Sequence, residues 1–177
     1  MKREELEHLI RAAATVAGDK DIVVIGSQAV LGTYDEGDLP ERVTFSREAD
    51  LAFWNDSDEQ KSDVVDGAIG EMSQFDETFG FYAQGVSIGT ALVPAGWESR
   101  LVKLETPSTL PGIAWCLEVH DLALSKLAAG RMKDYEYVES LMSVGIVRAD
   151  LLLDRLPTMP VAPLALNRIR RWIEGRP

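Results

Sequence analysis

The stretch Val24-Ile25-Gly26-Ser27-Gln28-Ala29-Val30-Leu31-Gly32, answered downstream by Glu48-Ala49-Asp50-Leu51, decides how this chain is read. The apolar run Ile22 to Ile25 predicts a buried strand, and the Gly-Ser pair predicts a turn opening a short helix to about Leu31. A second apolar strand is predicted over Glu48 to Trp54. Residues i and i+2 of a strand face the same way, so Glu48 and Asp50 can converge on one cation. A turn of open backbone N–H groups suits phosphate oxygens, and a carboxylate pair suits Mg²⁺. The two together are the minimum for handling a nucleoside triphosphate.

Each half has a plainer reading on its own. A Gly-Ser turn after a strand is a common connection in which Ser27 caps the following helix. Charges on a strand usually face water. Against this, Ala49 and the run Leu51 to Trp54 mark a mostly buried strand, where carboxylates are costly unless a cation accompanies them.

Working outward, Leu6, Leu9, Ile10, Ala13 and Val16 recur at helical spacing over Glu4 to Ala17, and Gly18-Asp19-Lys20-Asp21 turns that helix into the first strand. Gly32 to Thr44 is polar and rich in Gly, Asp and Pro, which predicts a loop able to cover a site. Asp56-Ser57-Asp58 supplies an N-cap for a helix through Val64, Val65, Ile69 and Met72. From Phe79 to Val119 the segments Tyr82 to Ile88, Thr90 to Val93, Arg100 to Glu105 and Ile113 to Leu117 read as strands of an antiparallel meander. Helices are predicted over Val119 to Ala129, Met132 to Val144, Ala149 to Leu156 and Pro163 to Glu174, with prolines separating the last two. The expected fold class is α+β, a small mixed sheet flanked by helices. Residues 1–118 form the α/β core, and the C-terminal helical segment 119–177 packs on it as part of one unit.

A chain of 177 residues with 46% apolar and 27% charged side chains suits a soluble globular protein with its own core. No apolar run is long enough to cross a bilayer, and Met1-Lys2-Arg3-Glu4-Glu5 leads into a polar helix rather than a signal peptide. The expectation is a cytoplasmic protein with no membrane partner. The single cysteine, Cys116, lies in an apolar segment and reads as core, and with two histidines it leaves no zinc set. A net charge of −11 argues against loose, charge-driven binding of nucleic acid. The exception is Asn167-Arg168-Ile169-Arg170-Arg171-Trp172, either a local basic patch or the cation-rich last turn of a helix.

The third informative element is Asp121-Leu122-Ala123-Leu124-Ser125-Lys126-Leu127-Ala128-Ala129-Gly130-Arg131-Met132-Lys133-Asp134. Asp121 is placed to cap the first of its two helices. Lys126 either snorkels along an apolar face or reaches a triphosphate as a point charge. Arg131, Lys133 and Asp134, at the junction marked by Gly130, are either a structural ion cluster or the far wall of a nucleotide site.

Gly26-Ser27-Gln28-Ala29 followed by Glu48-Ala49-Asp50-Leu51 resembles the signature of the nucleotidyltransferase-fold superfamily. The Asp121 to Asp134 segment is similar to the Asp…Lys-Leu…Arg-x-Lys-Asp segment of the abortive-infection type IV toxin nucleotidyltransferases and their small bacterial relatives. The likeness covers roughly residues 20–54 and 119–140. It implies Mg²⁺-dependent transfer of a nucleotidyl group from an NTP to a hydroxyl on RNA, protein or a small molecule. Gly26 and Ser27 would hold the β- and γ-phosphates, Glu48 and Asp50 the metal, and Lys126 the triphosphate. Arg131 would be a phosphate contact and Asp134 a further acidic residue. Glu48 stands where the superfamily pattern usually has Asp, and Glu105 is the fallback for its third carboxylate. As a type IV toxin the chain would have tRNA as acceptor and an antitoxin as partner. A small-molecule or protein acceptor, or an inert nucleotide-binding or interaction module of the same fold, are the alternatives.

Overall fold

The central strand of the sheet is its most deeply buried one, covered on both faces. In the computed structural model, which describes residues 1–176, β1 (Asp21–Val24) has Ile22, Val23 and Val24 fully buried. A strand covered on both sides reads as a continuous apolar run rather than an alternating one. Around it lie β2 (Glu48–Phe53), β3 (Tyr82–Gly85), β4 (Val102–Leu104) and β5 (Ile113–Cys116), in the five-stranded order β3-β2-β1-β5-β4. β1 runs antiparallel to β2 with Val24 opposite Leu51, and parallel to β5 with Val24 opposite Cys116. β2 and β3 are parallel with Glu48 opposite Tyr82, and β4 and β5 are antiparallel.

The fold is therefore the α+β class expected, a mixed sheet flanked by helices. The antiparallel meander expected between Phe79 and Val119 is not formed. β3 and β5 pair in parallel with β2 and β1, Thr90 to Val93 is not a strand, and 3₁₀ turns at Ile88–Thr90 and Trp97–Arg100 shorten its neighbours. Local β-propensity marks strand-like residues, whereas pairing is set by which apolar faces the rest of the chain can cover.

α1 (Arg3–Ala17) buries Leu6, Leu9, Ile10 and Ala13 as its spacing predicts. The Gly32 to Thr44 segment is less open than its composition suggests. A 3₁₀ turn at Glu36–Asp38 and the short α2 (Glu41–Thr44) occupy it, with Leu39 and Val43 buried. The helix after Asp56 is α3 (Gln60–Ile69), followed by α4 (Gln74–Phe79). Asp56 does serve the start of α3, accepting from the backbone N of Lys61 (2.8 Å) and Ser62 (2.9 Å). Met72 lies beyond that helix and is exposed.

α5 (Val119–Ala129), α6 (Met132–Ser143), α7 (Ala149–Arg155) and α8 (Pro163–Glu174) follow. Leu122, Leu124 and Leu127 of α5, Val138 and Leu141 of α6, Leu152 of α7 and Ile169 of α8 join the same apolar cluster as the sheet. Gly130 ends α5 at φ +70°, a conformation that a side chain would strain. Arg168 donates to the carbonyls of Leu127 (3.0 Å) and Ala128 (3.1 Å), so the basic cluster supplies a cation at the C-terminus of α5. Cys116 is buried, as expected of a core thiol. Among the described residues no helix is long and apolar enough to cross a membrane.

Asp121 does not cap α5. Glu118 does, accepting from the backbone N of His120 and Asp121. Asp121 is fully buried one turn further on, between Arg100 Nε (2.8 Å) and Arg155 Nη1 (2.9 Å). Arg155 also pairs with Glu118. His120 Nε2 accepts from the backbone N of Arg148 (3.2 Å), which leaves Nδ1 to carry the proton toward Glu118 Oε1 (2.6 Å). This network ties the start of α5 to α7 and to the approach to β4.

Burial pushes the Glu118 carboxyl up, but His120 and Arg155 outweigh it and hold the group at about 2. A carboxyl lowered on folding contributes stability above its unfolded value, near 4.5, and loses that contribution as pH falls toward 2. Acid titration followed by urea unfolding should show that loss, and Glu118→Gln should flatten it. At neutral pH the same substitution should cost roughly 1–3 kcal/mol.

Candidate functional site

Gly26 ends the first strand against the second. The backbone N of Ile25 donates to the carbonyl of Asp50 (3.2 Å), which draws the turn onto the carboxylate strand. A Cβ built on Gly26 would fall 1.5 Å from Oδ2 of Asp50. No side chain fits there, so glycine at this position is required by the carboxylate beside it. Ser27 then opens a 3₁₀ turn over Ser27–Gly32 rather than a regular α-helix.

Lys126 reaches this turn from α5. Its Nζ donates to Ser27 Oγ (2.8 Å), lies 4.5 Å from the centroid of the Tyr137 ring and stands 3.7 Å from Asp134 Oδ1. Tyr137 Oη donates to the Ser27 carbonyl (2.7 Å), so α6 grips the same turn. Burial lowers the ammonium below its ordinary value, while Asp134 and Asp50 oppose that effect.

Asp134 is nearly inaccessible, and its oxygens accept from Arg131 Nε (2.6 Å) and Nη2 (3.1 Å). Burial raises this carboxyl, but Arg131 and Lys126 outweigh it and hold it below the usual carboxylate range. Asp134 is thus the counter-charge that fixes both cations. Arg131 is mostly exposed at the cavity wall, and Lys133 lines it too.

Glu48 and Asp50 share one face of β2, as their spacing predicts, and both line the same cavity as Ser27, Lys126, Arg131 and Asp134. The cavity measures about 1100 Å³. Burial, then the charge of Glu48, push Asp50 up to about 6, with Lys126 and Arg131 opposing. The pair is therefore short of positive charge. That fits a small hard cation, for which one or two protein carboxylates suffice when substrate phosphates and water fill the other positions. Mg²⁺ held by Glu48 and Asp50 would neutralise the pair and polarise a phosphate oxygen. Among the described residues no group of three His, Cys, Asp or Glu residues could hold a metal.

Glu105 does not supply a third carboxylate. It lies beyond the end of β4, pairs with Lys103 (2.5 Å) and does not line the cavity. The strand beside Glu48 and Asp50 carries Tyr82 and Gln84 at the opposing positions instead. Tyr82 Oη donates to Glu48 Oε2 (3.1 Å), and the guanidinium of Arg47 lies 5.4 Å from the centroid of its ring. Arg47 is itself anchored by Asp76 (2.7 Å). Phe45, 86% exposed, stands at the rim. Sequence reasoning misses Tyr82, Gln84, Arg47 and Phe45. The alternation of Tyr82 and Gln84 is visible in the sequence, but nothing in it signals a parallel pairing with β2.

A mixed sheet with a carboxylate pair on one strand, a Gly-Ser turn at the end of the next and a lysine over that turn is the layout of a nucleotidyltransferase. The chain belongs to the family described as "Nucleotidyltransferase of unknown function (DUF6036)", whose family model matches residues 4–162. Comparison with curated proteins and with solved structures gave no match.

Two substitutions test the geometry. Gly26→Ala should displace Asp50, costing roughly 1–3 kcal/mol in urea unfolding and reducing ligand binding at the pair. Asp50→Asn should act oppositely on stability. Because folding raises the Asp50 carboxyl, ionisation is penalised in the folded state, and stability falls as pH rises from 3.8 through about 6. The asparagine variant should therefore be more stable than wild type at pH 7.5, by about 3 kcal/mol, with the difference vanishing near pH 4.

Proposed function

We propose that this protein transfers a nucleoside monophosphate from an NTP to a hydroxyl acceptor, with Mg²⁺ held at Glu48 and Asp50. The observation that carries the proposal is the close approach of Gly26 to Asp50, with Lys126 bonded to Ser27 on the other side of the turn. A phosphate grip and a metal-binding pair are thereby set within one side chain of each other.

In this reading Ser27, Lys126 and Arg131 take the β- and γ-phosphates, and Lys126 exchanges its bond to Ser27 Oγ for one to phosphate. Arg131 swings from a position already pinned by Asp134. Negative charge that grows on the departing pyrophosphate is met by these two cations. Glu48 and Asp50 would hold the metal, which would supply Lewis acidity to the α-phosphate. The Glu48 carboxylate is able to orient an incoming hydroxyl, since it already accepts a hydrogen bond from one in Tyr82.

The acceptor implied by the resemblance to type IV toxins is tRNA, in the cytoplasm and with an antitoxin protein as partner. The strongly acidic balance of the chain supports a protein or small-molecule acceptor instead. Incubation with labelled NTPs and total tRNA divides these, because label entering the RNA fraction supports the first and label entering only protein or small molecules sinks it.

Isothermal titration with each NTP, with and without Mg²⁺, tests the site itself. Wild type should bind in a Mg²⁺-dependent manner, and Asp50→Ala should lose that dependence. Lys126→Ala should weaken binding by about tenfold or more, equivalent to at least about 1.4 kcal/mol. Absence of NTP binding by the folded wild type would overturn the proposal.

A further inference from the structure

Three neighbouring strands lay out the parts of a phosphoryl displacement in a row. The turn after β1 carries Ser27 and, through it, Lys126. β2 carries Glu48 and Asp50. β3, on the far side of β2, carries Tyr82 in register with Glu48. Neighbouring strands lie about 4.8 Å apart, so the phosphate grip and the tyrosine flank the carboxylate pair from opposite sides. Displacement at phosphorus requires the attacking and leaving oxygens to stand roughly in line, with phosphorus between them. The sheet sets the Ser27–Lys126 pair, the carboxylates and the tyrosine in that order across β1, β2 and β3.

The tyrosine is also held as a nucleophile should be. The residue is buried at the cavity wall, the Arg47 guanidinium lies over its ring, and its Oη donates to Glu48 Oε2 (3.1 Å). The hydrogen bond already directs the phenolic proton to a carboxylate that can take it.

We propose that Tyr82 is a self-nucleotidylation site, an internal hydroxyl acceptor built into the pocket. The inference rests on the nucleotidyl-transfer reading above. Tyr82 Oη attacks the α-phosphorus of a bound NTP and forms the new O–P bond. The bond from the α-phosphorus to the bridging oxygen breaks, and pyrophosphate leaves with that electron pair. The phenolic proton passes to Glu48. The product is a phosphodiester on Tyr82 that stands in front of Glu48 and closes the pocket to other acceptors, so the modification is self-limiting.

Intact-mass measurement of the folded protein after incubation with each NTP and Mg²⁺ tests this, followed by peptide mapping. The expected result is a gain of one nucleoside monophosphate residue on Tyr82, with one pyrophosphate released per chain. An increment already present on the purified protein is the same result. Tyr82→Phe, shown to be folded by its melting transition, should gain no mass, and neither should Asp50→Asn. If wild type binds NTP with Mg²⁺ yet Tyr82 stays unmodified, or the increment maps elsewhere, self-nucleotidylation is overturned while nucleotidyl transfer stands. If wild type whose intact mass carries no increment shows no Mg²⁺-dependent NTP binding, both fall together.

Discussion

The site depends on one contact, the carboxylate of Asp50 lying where a side chain at position 26 would have to be. This approach is what brings a backbone turn and a carboxylate pair into a single cavity. It needs glycine at the turn and an antiparallel pairing of β1 with β2 that continues to the Ile25–Asp50 hydrogen bond. It also leaves Asp50 desolvated beside Glu48, a local conflict that the folded chain tolerates and a bound cation would relieve. Stability is given up at this point in exchange for a place where positive charge is wanted.

The cations opposite are organised by a second conflict of the same kind. Lys126 is buried against its own preference and is kept charged by Asp134, Asp50 and the face of Tyr137. Asp134 is nearly inaccessible because it neutralises Lys126 and Arg131 together. A chain of net charge −11 thus concentrates Lys126, Arg131, Lys133 and Arg47 around one cavity. Overall charge describes how a protein meets a distant polyanion, while a local cluster decides what it holds at contact.

Much of this site is legible in the amino-acid sequence. The Gly26-Ser27 turn, the Glu48/Asp50 alternation and the Lys126 to Asp134 segment carry strong local constraints, since a turn, a strand face and a helix junction each leave a short-range signature. Their convergence on one cavity is a property of the folded chain. Tyr82 is not legible as a site residue, because its meaning comes from standing beside Glu48 across a parallel pair, and parallel partners are distant in sequence. The expected meander fails for the same reason. Asp121 illustrates a different limit: an acid in the first turn of a helix resembles a cap until Arg100 and Arg155 arrive from elsewhere to bury it.

Elements with local causes follow from the order of residues alone. These are the amphipathic α1, the doubly buried β1, the carboxylate face of β2 and the glycine-ended α5. Which strands become neighbours, and with that the identity of the group facing Glu48, is settled only when the chain packs. The reason is physical. Helical periodicity, caps and strand alternation are properties of a few adjacent residues, whereas strand order is fixed by how the whole chain covers its apolar faces. The Gly26–Asp50 contact belongs to both, since a glycine is written in the sequence but the carboxylate that demands it comes from another strand.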